Sequence, residues 1–221
     1  MEPDINRQAL TGQRVIITGG NSGIGLVTAK QLAAKGATVL IAGRASDKTE
    51  AALQSINAEA VTPARNLAVD LGSLASVEAL IESVQREGEP IDVLINNAGL
   101  GHKTSLIDGE TPYWREMLEV NVLALSICTR EALSQMRKNG DDGYIIHVSS
   151  MSAHRVPSNS GMYSATKFAV RSLTEGLRQE LRQIGSNIRV SSISPGFVET
   201  EFAEKTVITS SNIASNARTA F

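Results

Sequence analysis

The chain has 221 residues, 42% hydrophobic and 20% charged, which supports a buried core and excludes disorder along its length. Lys and Arg number 21 against 23 Asp and Glu, a net charge of −2, without the basic excess of a nucleic-acid binder. Aromatics at 4% are too few for base-stacking platforms, and a single cysteine, Cys128, excludes an intrachain disulfide framework or a cysteine-rich metal site.

In chain order, short apolar strands alternate with longer amphipathic helices. Arg14 to Thr18 is a strand, and Gly23 to Lys35 a helix closed by Gly36. Thr38 to Ala42 is a second strand and Asp47 to Ala58 a helix; Ala64 to Val69 is a third strand and Ser73 to Glu87 a helix. Ile91 to Ile95 is a fourth strand, Trp114 to Lys138 a long helix, and Tyr144 to Val148 a fifth strand. Gly161 to Ile184 is a second long helix, with Val170, Leu173, Leu177, Leu181 and Ile184 stepping by three and four, and Ile188 to Ile193 a last strand. This alternation predicts one α/β domain over residues 1–205, a doubly wound parallel sheet of Rossmann type with helices on both faces. Such a sheet binds ligands at the carboxyl ends of its strands.

The N-terminus is polar and lacks an apolar h-region, so no targeting segment is expected, and the longest apolar runs, such as Val39-Leu40-Ile41-Ala42, are far below the ~18 residues of a membrane span. A cytoplasmic protein without a membrane span is expected. Cys128 fits a small core hydrophobe and Trp114 a packing residue. His102, His147 and His154 lack metal-ligand spacing; His147 belongs to a core strand, and His154, four residues after Ser150, either faces a substrate or is solvated.

Directly after the first strand stands Thr18-Gly19-Gly20-Asn21-Ser22-Gly23-Ile24-Gly25. Glycines let backbone bend sharply and approach a phosphate, and the helix that starts here offers free N–H groups to an anion. The turn is not a P-loop, and its spacing differs from G-x-G-x-x-G. At the end of the second strand, where an NAD enzyme commonly has an acid about twenty residues on, stands Arg44. Its fork would pair with a 2′-phosphate, favouring NADP(H) over NAD(H), or it is a solvated strand-end residue. Asp70, followed by Leu71, either accepts from an adenine amino group or caps the strand end.

Tyr163-Ser164-Ala165-Thr166-Lys167 opens the second long helix, with Tyr163 and Lys167 one turn apart on one face. A phenol titrates near 10, and a nearby ammonium shifts it toward neutrality, making an acid for a carbonyl oxygen or a base for an alcohol. Ser150, at the end of the fifth strand, can hydrogen-bond a reacting oxygen as it gains negative charge. Asn96-Asn97-Ala98-Gly99 ends the fourth strand with small residues, Asn121 interrupts an apolar helix face, and Pro195-Gly196 turns after the last strand.

Together these residues resemble the short-chain dehydrogenase/reductase family, over about Leu10 to Glu201. The resemblance implies hydride transfer between nicotinamide C4 and a carbonyl or secondary-alcohol carbon. It implies Tyr163 as general acid/base, Lys167 as its pKa modulator and ribose ligand, Ser150 as carbonyl-orienting group and Asn121 as holder of a proton-relay water. Gly19, Asn21, Ser22, Gly23, Ile24 and Gly25 would take the pyrophosphate side, and Asn97, Ala98 and Gly99 the adenosine side. The turn Pro195, Gly196, Val198 and Thr200 would close over the nicotinamide.

The stretch Asn121 to Glu131, with Asp141-Asp142-Gly143, Met151 and His154-Arg155-Val156, resembles the branch of dehydrogenase/reductase member eleven, NADP-dependent ketosteroid and carbonyl reductases. The first half resembles the retinol-dehydrogenase-like branch. The resemblance also implies a homodimer through the helices around 114–138 and 161–184. Only 25 residues follow Gly196, and Thr206 to Phe221 lacks a strand–helix pattern. The expectation is therefore a loop or tail at 206–221, with the lid helices and final strand missing. A weakly active or inactive nucleotide-binding variant is the alternative to a working reductase.

Overall fold

The computed structural model describes residues 9–202; the expected tail at 206–221 lies outside the described residues. Six strands form one sheet: β1 (Arg14–Thr18), β2 (Thr38–Gly43), β3 (Arg65–Ala68), β4 (Val93–Asn96), β5 (Tyr144–Val148) and β6 (Arg189–Ile193). Their order is β3-β2-β1-β4-β5-β6, and every neighbouring pair is parallel. The helices are α1 (Gly23–Ala34), α2 (Asp47–Asn57), α3 (Leu74–Glu87), α4 (Thr111–Leu118), α5 (Leu125–Lys138) and α6 (Gly161–Gln183). This is the expected doubly wound Rossmann architecture, and the order reverses between β1 and β4, which opens a crevice at their carboxyl ends.

Both faces of the sheet are covered, so its central strands are apolar throughout rather than alternating. Val15, Ile17, Val39 and Ile41 pack with Ala29 and Ala33 of α1 and Ile56 of α2. On the other face Ile16, Leu40, Leu94 and Ile145 pack with Val77 and Leu80 of α3, Met136 of α5 and Leu181 of α6. Small alanines on α1 let that helix lie close to the sheet. β6 is the sheet edge, and its Ile193 is 54% exposed.

Local signals explain the element ends. Ser46 and Ser73 cap α2 and α3 by accepting from the N–H groups of Thr49 and Ser76. Pro112 sits in the first turn of α4, where a missing N–H costs nothing. That helix starts three residues before the expected Trp114. The expected single helix from Trp114 to Lys138 is also interrupted: Glu119–Ala124 is a π turn between α4 and α5. One extra residue per turn rotates Asn121 off the regular helix face and into the interior, where it is 1% exposed.

His147 of β5 is buried and satisfied, as expected of a core histidine. Its Nδ1 is 2.9 Å from Thr174 Oγ1, and that hydroxyl donates to the Val170 carbonyl at 2.7 Å. Nδ1 therefore carries the proton. Nε2, 3.1 Å from Thr129 Oγ1, accepts, and Thr129 in turn accepts from Asn96 Nδ2 at 2.9 Å. A second ring proton would meet a hydroxyl already oriented as donor. Burial holds His147 down at about 4.

Below about 6.5 the unfolded chain binds a proton that the native state refuses until about 4. This stabilisation is complete above 6.5 and is lost as pH falls through that window, amounting to about 3 kcal/mol. Urea unfolding at pH 7 and pH 4 should show wild type losing about that much more stability than His147→Gln. Equal losses would remove His147 as the cause.

Candidate active site

The crevice between β1 and β4 is built by backbone held from the side. The Thr18 hydroxyl, at the end of β1, accepts from the N–H groups of Asn97 and Ala98, both at 3.0 Å. The Asn97 side chain returns the link, donating to the carbonyls of Thr18 at 3.0 Å and Gly19 at 3.1 Å. A Cβ on Gly25 would collide with the Asn97 amide and the Gly19 carbonyl, so only glycine fits there. Asn97, expected on the adenosine side, thus uses its amide on the glycine turn. Asn21 is similarly engaged, donating to Thr49 Oγ1 of α2 at 2.9 Å.

Ser22 is the N-cap of α1 but makes no side-chain cap bond, and no acidic residue stands in the first turn, which holds Gly23, Ile24 and Gly25. The dipole end there is open to an anion. Arg44 follows β2 and is exposed, and its guanidinium has no hydrogen bond or ion pair among the described residues. Asp70 is exposed after β3, and one of its oxygens accepts from Gly72 N at 3.0 Å, a turn-capping contact. Leu71 packs into the core below. After β6, the Pro195 carbonyl accepts from Met151 N at 2.9 Å, and Thr200 lies over Gly23. Gly196 has open space at its Cβ position, and Val198 is partly exposed.

Ser150, Tyr163, Lys167 and Asn121 meet at this same sheet edge. Ser150 accepts from Ser152 N at 3.0 Å, capping a single 3-10 turn (Met151–Ala153), and its hydroxyl is near enough to Tyr163 to favour the phenolate in part. Lys167 is 4% exposed; its ammonium donates to the Val148 carbonyl at 3.0 Å and lies 5.9 Å from the Tyr163 ring centre. Asn121 accepts from Leu100 N at 2.8 Å and donates to Leu100 O at 2.8 Å and Thr166 Oγ1 at 3.0 Å. A Cβ on Gly99 would sit 3.2 Å from both Asn121 Oδ1 and Lys167 Nζ, so the backbone of β4's extension fills that gap alone.

One electrostatic expectation is corrected. The Lys167 ammonium does not bring the phenol toward neutrality here. Burial pushes Tyr163 up, and the Ser150 hydrogen bond offsets only part of that rise. Burial also holds Lys167 down at about 8, because a desolvated ammonium is costly. Tyr163 is therefore a protonated phenol at neutral pH, suited to donate to a developing oxyanion, with Ser150 beside it as a second donor.

Thr18, Thr166 and Phe202 join the site without having been singled out. The only prior signal for Thr18 was a hydroxyl at a strand end facing the next turn. Phe202, 5.7 Å from the Tyr163 ring centre, had no signal at all. Lys48 of α2 pairs with Glu201 on the same crossing segment. His154 is exposed, 3.2 Å from Ser194 Oγ. Trp114 donates to Thr104 Oγ1 at 3.2 Å, a packing role as expected. Among the described residues no cluster of His, Cys, Asp and Glu could hold a metal, and no helix is long and apolar enough to cross a membrane.

Comparison with known proteins shows the family. The short-chain dehydrogenase family model matches residues 13–210. Dehydrogenase/reductase SDR family member 11 of Bos taurus is 44% identical over 197 residues, covering 86% of this chain and 76% of its own. Farnesol dehydrogenase of Aedes aegypti is 34% identical, covering 89% of this chain and 82% of its own. A metagenomic short-chain oxidoreductase solved in complex with NADP superposes with a TM-score of 0.78 at 30% identity, covering 86% of this chain and 84% of its own. With its glycine turn, its Tyr163 and Lys167 pair and a family match running nearly end to end, the chain belongs to the short-chain dehydrogenase/reductase family.

Proposed function

We propose that the protein transfers a hydride between NADP(H) and the carbonyl or secondary-alcohol carbon of a small molecule. Ketones and aldehydes, including steroid-like or retinoid-like ones, are the substrate class. The observation that carries this reading is the convergence of Ser150, Tyr163, Lys167 and Asn121 beside an open helix N-terminus at one sheet edge. The NADP in the metagenomic relative and the alcohol named for the Aedes aegypti relative agree with it.

The residues present fit a nicotinamide dinucleotide. The first turn of α1 has N–H groups that no side chain caps, matching a pyrophosphate. Arg44, without a side-chain partner among the described residues, would be the cation for a 2′-phosphate, and Asp70 and Leu71 would face the adenine. Gly19, Ala98, Gly99, Pro195, Gly196, Val198 and Thr200 would take the rest of the cofactor, and Lys167 keeps further ammonium protons for a ribose hydroxyl beyond the one given to Val148. When bound, the cofactor supplies or takes up the hydride.

The chain's own residues handle the substrate oxygen. Ser150 orients and polarises it. Tyr163, kept protonated by burial, donates to it in reduction and accepts from it in oxidation. Lys167 is an ammonium below about pH 8 and supports the phenolate that forms. Asn121 ties this machinery to the backbone at Leu100. A second copy of the chain is the proposed partner. Between α5 and α6 lies a groove of about 1100 Å³ lined by Leu125, Leu133, Leu173, Leu177 and Ile184, a surface a homodimer would cover.

Two measurements test this reading. Tyr163→Phe should lower NADPH-dependent carbonyl reduction about a hundredfold or more while NADPH fluorescence titration still shows binding. Unchanged turnover would exclude Tyr163 as the acid. Arg44→Asp should reduce the preference for NADPH over NADH by about tenfold to a hundredfold, and an unchanged ratio would remove Arg44 from the phosphate site.

A further inference from the structure

Thr166 stands next to Lys167 and is 1% exposed, yet no catalytic part falls to it in the mechanism above. Its hydroxyl has one proton to give, and that proton goes to the Tyr163 carbonyl at 2.7 Å. The same oxygen accepts from Asn121 Nδ2 at 3.0 Å. The other Nδ2 proton goes to Leu100 O, and Asn121 Oδ1 accepts from Leu100 N. An unbroken chain of hydrogen bonds therefore runs from the loop after β4, through the π turn, to the backbone of the catalytic tyrosine.

We infer that Thr166 is a positioning residue, holding the Asn121 amide in the one rotation that faces Oδ1 toward Leu100 and the Lys167 side. Two features make the arrangement directional. The amide of Asn121 is buried, so a lost acceptor leaves an N–H without water to replace it. Amide oxygen and nitrogen are also not interchangeable here: a flipped amide would set Nδ2 against Leu100 N, donor against donor. Without the Thr166 oxygen, the paired bonds to Leu100 are the only restraint on that side chain among those it makes in the structure. Gly99 separates Asn121 Oδ1 from Lys167 Nζ, and it precedes Leu100 directly. Loosening Leu100 thus moves the backbone against which Lys167 is set.

This inference rests on the hydride-transfer reading for its kinetic part only, so the test has two arms. In the unliganded protein, amide hydrogen exchange at Leu100 should accelerate about tenfold or more in Thr166→Val, while Ile17 in β1 stays protected. Thr166→Ser, which keeps the hydroxyl, should restore Leu100 protection. In turnover, Thr166→Val should lower kcat about tenfold to a hundredfold with KM for NADPH little changed, and Thr166→Ser should recover most of it. Where Thr166→Val loses Ile17 protection as well, Thr166→Ala, which adds no methyl at the hydroxyl position, carries the same expectation. Wild-type exchange at Leu100 in a folded variant lacking the hydroxyl overturns the inference. So does a kcat defect that serine does not repair. A wild-type protein that binds no NADPH and reduces no carbonyl, but whose Leu100 responds as stated, overturns the hydride-transfer reading and leaves the positioning role of Thr166 supported.

Discussion

The reciprocal bonding between Thr18 and Asn97 is the constraint on which the site depends. Parallel strands diverge at the point where their order reverses, and past Thr18 and Asn96 the backbone of β1 no longer pairs with that of β4. One hydroxyl accepts from two N–H groups of the β4 extension, and one side-chain amide donates to two carbonyls of the glycine turn. The crevice floor is thereby satisfied from within, and the N-terminus of α1 is left facing outward.

Around that floor the chemistry is arranged by burial rather than by charge pairing. Lys167 is the one buried ammonium among the described residues, and a carbonyl, not a carboxylate, faces it. A carboxylate would hold the ammonium charged at all accessible pH and compete for the tyrosine. A carbonyl dipole does neither. The phenol remains protonated, and burial alone holds the lysine down at about 8, with no fixed countercharge against it.

Much of this was legible from residue order. The five-residue β1 and the tyrosine–lysine spacing each have a local cause, and local causes are visible in a sequence. The π turn was only half visible. Asn121 broke an apolar face, but a hydrophobic period cannot show that one residue is inserted into the helical register. The direction of the Tyr163 shift was not visible either, because a spacing of four places two groups on one face without saying how much water reaches them. Phe202 came to the tyrosine through a crossing segment that no periodic signal foretold. The links through Thr18 and Thr166 depend on residues distant in sequence, Asn97 and Asn121, meeting only once the sheet is formed.

The contact between Trp114 and Thr104 has an optical consequence. The chain contains one tryptophan, so its indole emission arises from a single place. That indole donates across the loop that follows Gly99 and Leu100, and Gly109 approaches its ring closely. Emission colour and lifetime therefore report on the loop around Thr104 and Gly109 alone. The protein carries a built-in spectroscopic marker for whatever enters beside that loop.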